Sequence, residues 1–200
     1  MPLKAMEKTT LFYLIILVPL LFAGSCKEDD ISPDTLPPAT QEGLNTFGCI
    51  IDGKNMLPKD YSGSIGGFPS KGLVAKYQSN ESYVYFDIIS RNGNNSYSYI
   101  YIYIPNIGNS GVFNFGRSNG NQGPLDSPPY PHALIIKQNP TKKRQVYYSY
   151  ENSGQITISR FDEINTIVSG TFELKVLDID NPTDTIKITS GRFDINWIEL

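Results

Sequence analysis

Side chains that could carry out catalysis are few in this sequence of 200 residues. It holds one histidine, His132, and two cysteines, Cys26 and Cys49. These cannot build a structural zinc site, and two cysteines exclude a disulfide-rich scaffold. His132 lies in a proline-rich segment, where a lone histidine is expected at the surface. Cys49 lies in an apolar run with no base beside it, so we expect a buried structural thiol rather than a nucleophile.

No catalytic motif is complete. The nearest approach to a serine-hydrolase elbow is Ser62-Gly-Ser-Ile-Gly66, which has serine where the first glycine belongs. Phosphate-cradling glycine loops do not occur in the required context. Glycoside hydrolysis needs only a pair of carboxylates at a fixed separation, and four are available: Asp87, Asp162, Glu163 and Glu173. Any chain of this length supplies such pairs, so the sequence predicts no catalytic residue and no cofactor.

Four oxygen-bearing side chains crowd one turn near the C-terminus: Asp178, Asp180, Asn181 and Asp184. Carboxylate and amide oxygens suit Ca²⁺, which makes the three aspartates a weak calcium candidate. The spacing departs from that of an EF-hand, because Pro182 and Thr183 stand where a ligand and the glycine should be. An acidic hairpin tip that faces solvent explains the cluster equally well.

Tyrosines form the most suggestive pattern. From residue 96 to residue 104 tyrosine alternates with isoleucine, so a strand here carries tyrosines on one face and apolar side chains on the other. The preceding run, residues 83–90, repeats the alternation. If the two strands pair, six tyrosines form one patch: Tyr83, Tyr85, Tyr97, Tyr99, Tyr101 and Tyr103.

We predict that this patch is partly wet and contacts a ligand, either sugar rings or a protein partner. Alanine at Tyr101 and Tyr103 should then abolish glycan binding while the fold is retained. The alternative is that tyrosines merely suit half-buried sheet positions.

The elements that position these side chains are strands, because the period of two recurs along the chain between turn residues. Asp52-Gly53 signals a two-residue hairpin, and the short connections favour antiparallel pairing. We predict one all-β domain over residues 43–200, an antiparallel β-sandwich of about ten strands, with a β-barrel as the alternative. The predicted strands are 46–51, 54–57, 73–78, 83–90, 96–104, 111–117, 133–138, 145–151, 155–161, 167–178 and 185–198.

Two connections between strands stand out. Residues 118–131 form the longest one, and its prolines suit a rigid surface excursion as well as a lid. Lys142-Lys143-Arg144 is a basic turn that would meet anionic sugars or lipid head groups, unless it is a solvated hairpin tip.

The N-terminus has the pattern of a targeting signal. Lys4 and Lys8 precede an apolar run of 13 residues, 11–23, whereas a membrane span needs about 20. A charged start and a short apolar core are typical of a secretory signal peptide, here residues 1–25. The segment Ala23-Gly-Ser-Cys26 resembles a bacterial lipobox. This resemblance implies that Cys26 is lipidated and ties the mature chain to a membrane, the alternative being an ordinary thiol.

The residues after Cys26 predict a tether. Residues 26–42 are rich in proline and poor in apolar side chains, which is typical of a flexible segment. Its first residues, Lys27, Glu28, Asp29 and Asp30, resemble the surface-export signal of Bacteroidota lipoproteins, unless they are simply a solvated acidic stretch. We therefore expect an outer-membrane location with the domain at the cell surface, or else on the periplasmic face. Thr35 lies in a segment that resembles the Bacteroidota O-glycosylation motif.

Several stretches resemble a family of uncharacterised Bacteroidota lipoproteins that is known only as a domain of unknown function. They are Leu36-Pro-Pro-Ala-Thr-Gln-Glu-Gly43, Asn45-Thr-Phe-Gly-Cys49 with Asp52-Gly-Lys54, Gly154-Gln-Ile-Thr-Ile-Ser-Arg-Phe-Asp162, and Ser169-Gly-Thr-Phe-Glu173 with Ile188-Thr-Ser-Gly-Arg-Phe-Asp194. The resemblance covers most of the mature chain. It implies a β architecture and an envelope location, and it brings no catalytic residues.

These observations lead to one functional hypothesis and two alternatives. The first is a lipid-anchored envelope protein with a non-catalytic β binding module, whose tyrosine patch contacts glycans. The second is a structural accessory subunit of an outer-membrane protein complex, and the third is a hydrolase with a carboxylate pair. A net charge of -3 argues against nucleic acid as a partner.

Overall fold

Eleven β-strands supply the regular secondary structure of the computed structural model, which describes residues 35–60, 71–92 and 96–200. All of their pairings are antiparallel. The predicted all-β antiparallel fold is therefore confirmed. The strands are β1 (Thr46–Ile51), β2 (Lys54–Met56), β3 (Leu73–Gln78), β4 (Tyr83–Asn92), β5 (Ser96–Ile104), β6 (Gly111–Asn114), β7 (His132–Gln138), β8 (Gln145–Tyr148), β9 (Gly154–Asp162), β10 (Ile167–Asp178) and β11 (Thr185–Asn196).

The strands form one continuous hydrogen-bonded sheet. Its order is β2-β1-β11-β10-β8-β7-β5-β4-β3, while β9 pairs with β10 and carries β6 on its other side. The sheet curls into a half-barrel around its inner face, as twisted antiparallel sheets of this width do. Across the described ranges there is no helix that is long and apolar enough to cross a membrane.

The hairpin between β1 and β2 shows how local sequence sets the register. Ile51 pairs with Lys54, so Asp52 and Gly53 are the whole turn. Both have positive φ, 48° and 79°, which is the conformation that Asp-Gly favours in a two-residue hairpin. The predicted hairpin is confirmed, and it places the Asp52 carboxylate at one end of the half-barrel.

The inner face of the half-barrel holds the main core. Inward positions on β4 and β5 are apolar and buried, and the same holds on β10 and β11. Cys49 lies in this core with no exposed surface, and burial raises the pKa of its thiol to about 12. A thiol that stays protonated and inaccessible is a weak nucleophile, in agreement with the structural role predicted for Cys49.

Residues 35–44 lie against the domain instead of extending from it. The Asp194 carboxylate accepts hydrogen bonds from the Thr40 hydroxyl at 2.7 Å and from the Gly43 amide at 2.8 Å. An Arg192 nitrogen donates to the Pro37 carbonyl at 3.3 Å. The flexible tether expected up to residue 42 is corrected for this part, because buried and partly buried side chains of β11 hold the backbone. The rest of that range, residues 26–34, lies outside the described residues.

Candidate functional site

The six tyrosines of the predicted patch do share one face of the sheet. β4 and β5 pair so that Tyr85 is opposite Tyr103 and Asp87 is opposite Tyr101. Ring centroids lie 5.3 Å apart for Tyr83 and Tyr103, and 6.0 Å apart for Tyr85 and Tyr101. These are contact distances for tilted aromatic pairs. This outer face of β4 and β5 is called the tyrosine face below.

Most of the tyrosine face, however, is inaccessible to solvent. Four of its members are buried: Tyr83, Tyr99, Tyr101 and Tyr103, with exposed fractions of 8%, 2%, 0% and 7%. Only Tyr85 and Tyr97 are half-buried. The prediction of a partly solvent-exposed contact surface is therefore corrected for these four rings. They form a second apolar cluster with Leu134 and Ile136 of β7.

The cover of this face is the connection between β6 and β7. The Ser118 amide donates to the Ser149 carbonyl at 3.0 Å, which fixes one end of the segment 118–131. Gly120 has a φ of 86° and lies against the Tyr148 ring, where an added Cβ would come within 2.5 Å of the hydroxyl oxygen. Near the other end, Ser127 is close enough to Tyr101 to affect its pKa. The long connection is thus a packed cover over the tyrosines.

Polar groups beneath and beside the cover have shifted pKa values. Burial raises the pKa of Asp87, although a hydrogen bond from the Tyr99 hydroxyl and the charge of Lys76 oppose the shift. Burial also lowers the pKa of His132, so its ring is neutral at pH 7. His132 has no exposed surface and packs 5.1 Å from the Tyr103 ring, which corrects the expected surface position. It is the first residue of β7 and not part of a loop.

An open groove lies where the tyrosine face meets the edge of β3. It has a volume of about 670 Å³ and is called the aromatic groove. Among the described residues β3 pairs only with β4, so its other edge faces this groove. The groove is lined by Lys76, Tyr77, Gln78, Ser79, Tyr83, Tyr85, Pro124, Glu163, Thr166, Trp197 and Ile198.

Rigid rings make up the walls of the aromatic groove. Tyr77 packs against Trp197 with centroids 5.0 Å apart and against Phe161 at 5.3 Å. Its hydroxyl donates to Glu163 Oε1 at 3.4 Å, and burial together with that carboxylate raises the pKa of Tyr77. Lys76, Gln78 and Glu163 are exposed beside these rings. The groove therefore combines fixed aromatic surface with hydrogen-bonding groups.

The aspartates of the acidic turn each have protein partners. Asp178 Oδ1 accepts hydrogen bonds from the amides of Asp180 and Asn181, at 2.7 and 3.1 Å. Asp180 pairs with Lys143 at 2.9 Å, and Asp184 accepts from the Tyr147 hydroxyl at 3.1 Å. In the part of the chain that the structure describes, no group of three or more acidic, histidine or cysteine side chains is arranged to hold a metal.

Two of the carboxylates considered for glycoside hydrolysis, Asp87 and Asp162, have different hydrogen-bond partners. Asp87 is bonded by Tyr99, whereas Asp162 is held by Arg160 at 2.6 Å and by Asn165 at 2.8 Å. These hydrogen bonds lower the pKa of Asp162, and the one from Asn165 contributes most. Glu173 is exposed on β10.

Several sequence predictions concern residues outside the described ranges. These are the signal peptide, Cys26, the acidic stretch 27–30 and the serine-containing segment 62–66. Thr35 is described and is exposed, so its hydroxyl is accessible.

Comparisons with protein-family models, with curated proteins and with solved structures find no match for this chain. The fold and the site define the domain by its architecture, which is a curled antiparallel sheet with an aromatic groove at its edge.

Proposed function

We propose that this chain is a lipid-anchored outer-membrane protein whose β domain is a non-catalytic binding module. Its ligand is a neutral oligosaccharide, and its site is the aromatic groove. The observation that carries the proposal is the combination, in one open groove, of ordered rings with exposed amide, amine and carboxylate groups. Sugar rings have apolar faces that pack on aromatic side chains and hydroxyls that need hydrogen-bond partners.

The proposed site keeps two of the six sequence-predicted tyrosines, Tyr83 and Tyr85, and adds Tyr77 and Trp197. Tyr85 is the best-placed platform, because it is half-buried and its ring is supported by Tyr83 and Tyr101, at 6.4 and 6.0 Å. A ring that is already held in place loses little conformational entropy when a ligand stacks on it.

We expect Tyr85→Ala to weaken oligosaccharide binding at least tenfold, because it removes the platform and leaves the rest of the groove intact. Binding is measured by calorimetry on the full-length chain in nonionic detergent, against a panel of neutral tetrasaccharides of glucose, mannose and xylose. Tyr150→Ala is the matched control, since Tyr150 is also half-buried but does not line the groove. Equal losses in both variants, or no binding across the panel, would count against the proposal.

A structural accessory role is the second candidate, and exposed apolar residues favour it. Leu125, Ile164 and Ile198 are 79%, 93% and 73% exposed, and each lines the aromatic groove or follows a residue that does. Apolar side chains around a groove suit a protein partner. If neutral sugars do not bind, and if Ile164→Glu releases a protein that co-purifies from solubilised envelopes, this role replaces glycan binding.

The anchor is tested separately from the ligand. We expect the mature chain to begin at Cys26 and to carry acyl chains, which mass spectrometry of the N-terminal peptide detects directly. Cys26→Ser should release the protein from the membrane fraction, because the acyl chains that Cys26 carries are lost. A mature chain with an unmodified Cys26 would refute the anchor without affecting the groove.

A further inference from the structure

At one end of the half-barrel, the inner face of four neighbouring strands changes from apolar to polar. The cross-strand registers of β4, β5, β7 and β8 align two successive inward rows. The first row is buried and consists of Ile88, Ile100, Ile135 and Tyr147. The next row toward the end consists of Ser90, Ser98, Lys137 and Gln145. The core thus stops at the same level on all four strands.

The polar row belongs to a concave groove of about 540 Å³, which is called the lysine groove. The β1–β2 hairpin contributes Asp52, Lys54 and Asn55 to its lining, and the turn after β7 contributes Asn139, Lys142 and Lys143. Barrel mouths are common ligand sites, and this volume lies in their usual range of roughly 300–1,000 Å³.

The lining of the lysine groove is basic, although the chain carries a net charge of -3. It contains four lysines, at 54, 137, 142 and 143, and one acidic residue, Asp52. Lys137 Nζ lies 3.1 Å from Asp52 Oδ2, and Lys143 Nζ lies 2.9 Å from Asp180 Oδ2. Within the described ranges, no carboxylate pairs with Lys54 or Lys142. Two ammonium groups are therefore available to an anion.

The remaining lining groups indicate what kind of anion fits. Serine hydroxyls, the amides of Asn55, Gln138 and Asn139, and the half-buried Tyr97 surround the lysines. Such groups bind sugar hydroxyls and rings. A membrane surface is flat and is met by protruding basic residues, whereas Lys137 lies on an inward row and its side chain is only 34% exposed.

We propose that the lysine groove binds an acidic oligosaccharide, one whose sugar rings carry carboxylate or sulfate groups. The lysines pair with the acidic groups, and the amides and serines bind the hydroxyls. This site lies at the opposite end of β4 from the aromatic groove and does not depend on the function proposed for that groove.

The test uses the full-length chain in nonionic detergent and calorimetric titration with trigalacturonate and a sulfated chondroitin tetrasaccharide. Maltotriose, inorganic phosphate and glycerophosphoglycerol, the soluble part of an anionic lipid, serve as comparison probes. We expect at least one acidic sugar to bind at least tenfold more tightly than every comparison probe. Its affinity should fall as salt is raised, since ion pairs are screened.

Variants locate the site. We expect Lys142→Gln to weaken acidic-sugar binding at least threefold and the double variant Lys137→Gln/Lys142→Gln at least tenfold. Lys142 is exposed on a turn, so the single variant keeps the fold even if the double variant is less stable. Lys175→Gln, which removes an exposed lysine of β10 outside the groove, is the matched control and should leave affinity within twofold.

Four outcomes would overturn the proposal. They are no binding of either acidic sugar, equal binding of maltotriose, equal binding of phosphate or glycerophosphoglycerol, and equal weakening by Lys142→Gln and Lys175→Gln. Equal binding of glycerophosphoglycerol would specifically indicate a site for anionic lipid.

Discussion

Replacing Asp194 with alanine is expected to lower the free energy of unfolding by about 3–5 kcal/mol, because one buried hydroxyl and several partly buried donors lose their acceptor together. Asp194 is 1% exposed. Its two oxygens accept hydrogen bonds from five groups: the Thr40 hydroxyl, the Ser169 hydroxyl, and the amides of Glu42, Gly43 and Leu44. Urea unfolding of the full-length variant measures the loss.

Asp194→Asn is the matched control, because it keeps the shape and one acceptor oxygen. We expect it to cost less than the alanine variant, about 1–3 kcal/mol. Hydrogen exchange gives a local readout, since the amides of residues 42–44 should exchange faster in both variants. An alanine variant with the wild-type urea midpoint would contradict the anchoring role of Asp194.

The pH dependence of stability follows from the same contacts. Burial alone would raise the pKa of Asp194, but hydrogen bonds from Ser169, Thr40 and the Glu42 and Gly43 amides hold it at about 2. An unfolded aspartate titrates near pH 3.9, so the folded state favours the ionised form. The stabilisation, roughly 2–3 kcal/mol, is fully present above the unfolded pKa and is lost as pH falls from about 4 to about 2.

A comparison of wild type with Asp194→Asn isolates this contribution from other carboxylates. Asp162 also has a lowered pKa and adds to acid sensitivity in both proteins. We therefore expect the stability difference between the two proteins to shrink as the pH falls through this window. A constant difference from pH 5 to pH 2 would show that the charge of Asp194 does not contribute.

Local sequence was sufficient to predict the strands. β1, β3, β5 and β10 begin and end at the predicted residues, because alternation and flanking turn residues act over a few positions. The Asp52-Gly53 turn was likewise predictable, since its two residues define the hairpin by themselves. The order of strands was not predictable. β1 pairs with β11, near the other end of the chain, and no nearby residue signals that pairing.

Long-range contacts also determine that residues 35–42 pack against the domain. Their composition is typical of a flexible tether, and in isolation they bury too little apolar surface to stay ordered. The Asp194 carboxylate accepts hydrogen bonds from this segment, and the partly buried Arg192 donates one to the Pro37 carbonyl. Neither partner is visible from the composition of the segment.

The candidate site was predictable only in part. The period of two placed six tyrosines on one face, and β4 and β5 do pair in that way. Which face is covered depends on β7 and on the connection 118–131, which a pattern within β4 and β5 does not reveal. Tyr77 and Trp197 were missed because Tyr77 lies on β3 and Trp197 directly follows β11, so they are far apart in sequence and meet only when the sheet curls.

The row that forms the floor of the lysine groove left a signal in the sequence. On β5, inward isoleucines give way to Ser98 and Ser96, and on β7 Ile135 gives way to Lys137. A break in an otherwise apolar inward face marks a place where the core ends and solvent or a ligand begins. The polar positions on each strand indicate a groove only when the strand registers are known, because the registers show that these positions lie side by side.

Burial changes what the tyrosine variants test. The sequence alone predicts that alanine at both Tyr101 and Tyr103 keeps the fold and loses binding. In the structure, Tyr101 has no exposed surface and its ring lies between Tyr85 and His132, at 6.0 and 6.1 Å. Truncation of a buried aromatic side chain typically costs about 3–5 kcal/mol, since it removes apolar contacts and leaves a cavity. We therefore expect Tyr101→Ala to lower the free energy of unfolding by that amount.

Two matched variants show which part of this loss comes from ring packing. One removes only the Tyr101 hydroxyl, and the other removes a less buried tyrosine of the same face. Tyr101→Phe should change stability by less than about 1 kcal/mol, because the buried hydroxyl makes no hydrogen bond of good geometry within the described residues, although Ser127 lies near it. Tyr85→Ala should cost only about 1–2 kcal/mol, since Tyr85 is half-buried. Urea unfolding of the three full-length variants ranks them. If Tyr101→Ala were no more costly than Tyr85→Ala, the cover over the tyrosine face would not be closed in solution, and the buried tyrosines would again be candidates for ligand contact.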